Sequence, residues 1–177
     1  VLRKSLGKNT ITLVIEMHAV GLQIRNLGGG IQIDHGHDQH NGIVAPKAKI
    51  LYLIPTFHNP AGITSTLENR KKVYEIALRH KVIIIEDNPY GELRFAGEEI
   101  PTIKSMDNEG RVIYCGSFSK ILSAGMRVGF LCAHEDLVAK IVVAKQVEDV
   151  HTNIFFQMIC AEFMSRYDMD AHIETIR

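Results

Sequence analysis

Short blocks of apolar and β-branched residues punctuate the middle of the chain, at Lys49 to Ile54, Val82 to Asp87 and Val112 to Cys115. A block that is apolar on both faces suits a strand buried inside a parallel sheet, where helices cover both sides. Between the first two blocks lies Thr64-Ser65-Thr66-Leu67-Glu68, in which Ser65 and Glu68 predict a capping box. Leu67, Val73, Ile76, Ala77 and His80 then recur at helical spacing. Strand, helix and strand in that order predict a βαβ unit with a right-handed crossover.

Beyond the third block, Met126 to Ala133 predicts another strand. Glu135 to Val147 predicts a helix with Leu137, Ile141 and Ala144 on its inner face. Phe155, Met158, Ile159 and Phe163 form a further amphipathic stripe, read as a helix packing on the sheet. The predicted class is α/β, a mostly parallel sheet with flanking helices.

Size and charge narrow the possibilities. The chain has 177 residues, 46% of them hydrophobic, enough for one substantial core. Twenty basic residues balance 20 acidic ones, which gives no reason to expect a nucleic-acid or membrane partner. No apolar run approaches a bilayer span, and the first residues lack a charged start followed by an apolar signal core, so a cytoplasmic location is expected. Cys115, Cys132 and Cys160 are widely spaced in apolar surroundings, which predicts buried thiols, neither disulfides nor a zinc motif.

The stretch from Asn26 to Ala45 is different. It carries Gly28-Gly-Gly30 and then Asp34-His-Gly-His-Asp-Gln-His40. Three histidines invite a metal reading, but glycine-rich, apolar-poor sequence supplies no rigid outer shell to orient ligands. Residues 26–48 therefore read as a flexible loop, with no metal site.

The most chemically loaded segment is Arg111-Val-Ile-Tyr-Cys-Gly-Ser-Phe-Ser-Lys120-Ile-Leu-Ser-Ala-Gly-Met-Arg127. One lysine stands at a strand end, flanked by Ser117 and Ser119 and followed by an arginine that can grip an anion. An amine so placed suits Schiff-base chemistry with a tethered aldehyde, as pyridoxal phosphate enzymes need. In open α/β sheets, ligands sit outside the carboxyl ends of the strands. Asn59 and Asp87 stand just past such ends too. Each alone would read as a turn residue before Pro60 or Pro89.

Three segments in register sharpen the picture: Ile54-Pro-Thr-Phe-His-Asn59-Pro-Ala-Gly62, Ile85-Glu-Asp87-Asn-Pro-Tyr90-Gly-Glu-Leu-Arg-Phe95 and the lysine run. In order and spacing they resemble fold-type I aminotransferases of class I/II, in the subgroup of 2-aminoadipate, kynurenine and aromatic aminotransferases. The likeness runs from about Lys49 to Arg177; before it, only Val14 to Leu27 looks like the strand and Gly-Leu turn of relatives. Ala124 stands where many relatives have proline, and His58 where glutamine is common. Glu92 and Arg94 read as surface ion-pairing residues.

The resemblance implies pyridoxal 5'-phosphate as cofactor, and catalytic roles for Lys120, Asp87 and Tyr90. Lys120 would form the Schiff base and move the Cα proton, Asp87 would bond the pyridine nitrogen, and Asn59 and Tyr90 the phenolic oxygen. Ser117, Ser119 and Arg127 would hold the phosphate. It further implies amino acid and 2-oxo acid substrates, 2-oxoglutarate among them, and a homodimer. Complete members are longer, so the chain reads as part of the cofactor-binding large domain, without the small domain and the N-terminal segment. Three other readings stay open: a lyase on the same fold, the effector domain of a transcription regulator, and a fragment inactive by itself.

Overall fold

A computed structural model describes residues 10–15 and 48–177. Among them a five-stranded sheet runs in the order β1-β5-β4-β3-β2. The strands are β1 (Thr10–Ile15), β2 (Ile50–Leu53), β3 (Ile83–Asp87), β4 (Val112–Ser117) and β5 (Gly129–His134). Parallel ladders join β2 to β3 and β3 to β4, while β5 runs antiparallel to both β4 and β1. Four strands thus share one direction and β5 alone is reversed, in keeping with the mostly parallel α/β class. The strand read in Val14 to Leu27 is placed earlier, at Thr10–Ile15, and its remainder lies outside the described residues, as does nearly all of the predicted loop at 26–48 with its histidines.

The β-branched blocks form the sheet because both faces are covered. One face carries Ile85, Ile113, Cys115, Leu131 and Ala133 against Val138 of α2 (Glu135–Glu148). On the opposite face, Leu51, Ile84 and Val112 pack with Ala77 of α1 (Leu67–Arg79) and with Ile103. Farther along that face, Phe118, Val128 and Phe130 meet Cys160 of α3 (Ile154–Arg166) and Ile173 of α4 (Met169–Ile176). Ile84 and Val112 retain no exposure at all, and a side chain so enclosed contributes about 1.5–3 kcal/mol. All three cysteines are buried and outside any disulfide, as the sequence predicts.

Helix faces differ from the periodicity in instructive ways. The cap of α1 is Thr66, whose hydroxyl accepts from Asn69 N at 3.2 Å, and not Ser65; Glu68 pairs outward with Lys72. Adjacent hydroxyl residues offer alternative caps, and packing selects the one that turns Arg70 and Ala77 inward. Leu67 and Ile76 are consequently exposed. In α2, Val138 and not Ala144 faces the core. On α3 the predicted stripe is turned outward at Phe155 and Met158, 66% and 65% exposed, and the core side is Cys160 with Phe156. A helix that is apolar nearly all round gives no clear moment by which to choose its inner face. The strand predicted from Met126 begins only at Gly129, because Ala124–Met126 form a tight 3-10 turn.

Candidate active site

β2, β3 and β4 point their carboxyl ends to one edge of the sheet, and the chain crosses that edge again where β5 begins. A parallel crossover after β4 would have carried the chain to the far edge. The antiparallel return instead keeps residues 118–128 at this edge, with Phe118 N donating to Val128 O at 3.1 Å across its base. Lys120 and Arg127 are therefore held on one short excursion.

Local packing shapes that excursion. A Cβ on Gly116 would lie 2.3 Å from Phe130 Cζ, so only glycine lets the Phe130 ring cross β4 there. The ring then packs at 5.7 Å from Phe118 and 6.3 Å from Tyr114. Ser117, buried at the end of β4, accepts a hydrogen bond from Ser119 N at 3.1 Å. From this start the chain makes a wide π-helical turn over Ser119–Ser123, with Ile121 inward and Lys120 exposed. Single π turns of this kind recur at functional sites.

Arg127 closes the excursion in an unusual backbone state. Its φ is +56°, in the left-handed region that costs a non-glycine residue about 1–2 kcal/mol. Nη1 donates to Ala124 O at 3.0 Å, while Nε is buried without a hydrogen-bond partner among the described residues. A strained arginine with a spare, dehydrated donor is suited to an anion.

Asp87 ends β3. Its Oδ2 accepts from the hydroxyl of Tyr52 on β2 at 2.5 Å, and its Oδ1 is buried with no partner among the described residues. Burial pushes the Asp87 carboxyl above the ordinary range, and the Tyr52 hydrogen bond opposes that shift. Tyr52 itself is pushed strongly upward by burial and then by the Asp87 charge, so it stays a neutral donor. On the next turn, the Tyr90 hydroxyl accepts from Asn59 Nδ2 at 3.5 Å, and Lys120 Nζ lies 5.8 Å from the Tyr90 ring centroid. Asn59, Tyr90 and Lys120 are thus brought together, Ser117 meets Ser119, and Asp87 faces Tyr52.

The Asn59 loop is fixed from beneath by Arg70. This buried side chain donates through Nε to Ser65 O, through Nη1 to Ile100 O and Pro101 O, and through Nη2 to Pro55 O and Thr56 Oγ1, at 2.8 to 3.3 Å. Among the described residues Arg94 pairs with no acid, although the sequence suggested that it would, and lies 4.7 Å over the Phe57 ring. Glu92 gives its backbone carbonyl to Arg177 Nε. Tyr52, Arg70 and Glu86 escaped the sequence reading; only their polarity inside otherwise apolar or inward-facing positions could have marked them. Among the described residues no cluster of His, Cys, Asp or Glu could hold a metal ion, and no helix is long and apolar enough to cross a membrane.

Residues 34–173 match the family described as aminotransferase class I and II. The chain belongs to that family. A similar curated member is aromatic-amino-acid aminotransferase 1 of Thermococcus litoralis, 48% identical over 73% of this chain and 31% of its own length. Among solved aminotransferases, Pyrococcus horikoshii kynurenine aminotransferase in complex with PMP is 43% identical with a TM-score of 0.71, covering 73% of this chain and 32% of that one. The uncharacterized HTH-type transcriptional regulator YisV of Bacillus subtilis is 33% identical over 77% of this chain and 29% of its own length. The chain therefore spans about a third of the length of the family members it matches.

Proposed function

We propose that this chain is the cofactor-binding core of an aminotransferase, which moves the amino group of an amino acid to a 2-oxo acid such as 2-oxoglutarate. The observation that carries the reading is Asp87: a desolvated carboxylate at the strand edge, one oxygen engaged and the other buried and open. An open anionic acceptor fits a protonated ring nitrogen, and the open Nε of Arg127 fits a phosphate. These are the two ends of pyridoxal 5'-phosphate. Similarity to an aminotransferase solved with PMP supports the same group.

When bound, that cofactor supplies a protonated pyridine ring that draws electrons from the substrate's Cα. The chain's own residues do the rest. Asp87 Oδ1 would hold the proton on the ring nitrogen. Asn59 and Tyr90 would orient the ring through its phenolic oxygen, and Ser117, Ser119 and Arg127 would hold the phosphate. Lys120 Nζ, exposed beside Tyr90, would tether the group and then serve as the base for the Cα proton.

Asn59 and Lys120 are both exposed in the single chain, which suits a site closed by a second copy. Borohydride reduction of the intact protein, followed by peptide mapping and sedimentation, should find one pyridoxyl group on Lys120 per subunit of a dimer. A label on Lys104, Lys140 or Lys145 would refute the assignment. Similarity to transcriptional regulators favours a second reading, a cofactor-binding effector domain. The two separate on one addition: an amino acid donor converts the absorbance of an aminotransferase to that of its amine form, and a sensor binds without turnover.

A further inference from the structure

Asp87 is not alone at its edge, and its neighbour has a consequence for the reaction. Tyr52 and Asp87 stand on adjacent strands, where Tyr52 pairs in register with Ile85 and so shares the face that Asp87 presents two residues on. The hydroxyl reaches Oδ2 at 2.5 Å, leaving Oδ1 as the one open acceptor in a buried position. A carboxylate with two free oxygens can rotate and can take up a proton itself. One tied oxygen restrains the rotation and opposes the proton uptake that burial favours.

Resting on the aminotransferase reading above, we infer that Tyr52 is a positioning residue for the reaction: its hydroxyl clamps Asp87 Oδ2, aims Oδ1 at the ring nitrogen and keeps the carboxylate charged. Other titratable groups near Asp87 do not replace it. Cys115 pairs with Asp87 across the β3–β4 ladder, but burial pushes its thiol far up, so it stays neutral and a weak donor. Glu86 projects to the opposite face and is occupied by the backbone N–H groups of Ile103 and Lys104. The Tyr90 hydroxyl accepts from Asn59 and makes no hydrogen bond to Asp87. The donor that stabilises charge on Asp87 is therefore Tyr52. The sequence marks Tyr52 only by its polarity in an apolar run and gives no hint of its partner.

The chemistry predicts a separable signature. Without the hydroxyl, Asp87 sits in the same desolvated place with no compensating donor, so its proton affinity rises and it draws the shared proton off the ring nitrogen. Substrate contacts are untouched. The decisive experiment uses the intact holoenzyme reconstituted with ring-15N pyridoxal phosphate, comparing wild type, Tyr52→Phe and Asp87→Asn. Tyr52→Phe should move the nitrogen signal toward the unprotonated value, in the same direction as Asp87→Asn. Its kcat should fall about tenfold, the effect of one lost hydrogen bond to a charged group, with KM for the amino donor nearly unchanged.

If Asp87→Asn moves the signal and Tyr52→Phe leaves both signal and kcat as in wild type, the clamp is overturned while the aminotransferase reading stands. If neither variant moves the signal, the assignment of Asp87 to the ring nitrogen falls, and the clamp with it. Should Tyr52→Phe fail to fold, fluorotyrosine placed at position 52 keeps shape and donor but makes the phenol more acidic. A shift in the nitrogen signal then supports the clamp, and an unchanged signal overturns it.

Discussion

Glu86 and Asp87 are consecutive carboxylates at the end of one strand, yet they lie on opposite faces and lead opposite lives. Glu86 is fully buried, and its two oxygens accept from Ile103 N at 2.9 Å and Lys104 N at 2.8 Å. It pins the 103–104 turn to the sheet, beside the Arg70 guanidinium that pins the Asn59 loop. Burial raises both carboxyls above the ordinary range. Only Glu86 has both acceptors engaged; Asp87 keeps one open. A buried polar group with every valence filled holds the fold, whereas one with a valence left open at a strand edge is available to a ligand. Burial and charge alone do not separate the two roles; satisfaction does.

The sharpest way to test the satisfied side is Arg70→Met. Removing the guanidinium takes the donor from the carbonyls of Ser65, Ile100 and Pro101, leaves Pro55 O with Ser65 N alone, and deprives Glu86 of its nearby cation. Breaking such a buried charged group costs about 3–5 kcal/mol. Chemical denaturation of the intact protein should show a loss of that size.

Next in size is the split between the two carboxylates. Asp87→Asn should lower turnover on the order of a hundredfold, as losing one electrostatic partner of the reacting group does. Its denaturation midpoint should stay near wild type, because the carboxylate it removes is poorly compensated. Glu86→Gln should do the reverse, costing about 1.5–3 kcal/mol of stability through its two backbone donors while the folded fraction keeps its turnover per site. Equal stability losses in the two variants would dissolve the distinction.

The smallest effect concerns acid. Burial alone would raise the Asp107 carboxyl, but hydrogen bonds from Lys104 and from the N–H groups of Arg111 and Val112 outweigh it and hold the group below the ordinary value. A lowered folded value means stability present above the unfolded pKa and lost as the pH falls through the folded one. Denaturation midpoints taken down the acid limb should therefore decline less steeply in Asp107→Asn than in wild type.

Much of the fold was legible because the signals are local. β-branched runs such as Val82 to Ile85 read as core strands, and Asn59, Asp87 and Lys120 stand out as polar residues at the ends of such runs. What was hidden depends on partners distant in sequence. Tyr52 acquires its meaning from Asp87, and Arg70 from carbonyls of two loops. The inward face of Ile154–Arg166 was misread for another reason: Ile154, Phe155, Phe156, Met158 and Ile159 are all apolar, and the sheet, not the sequence, decides which of them turn in.

The tied base of the Phe118–Val128 excursion also has a mechanical consequence. Its feet are joined by one hydrogen bond and continue into paired strands, so the span from Lys120 to Arg127 is set within a short closed lever. The amine and the guanidinium thus share one anchor, the ladder between β4 and β5.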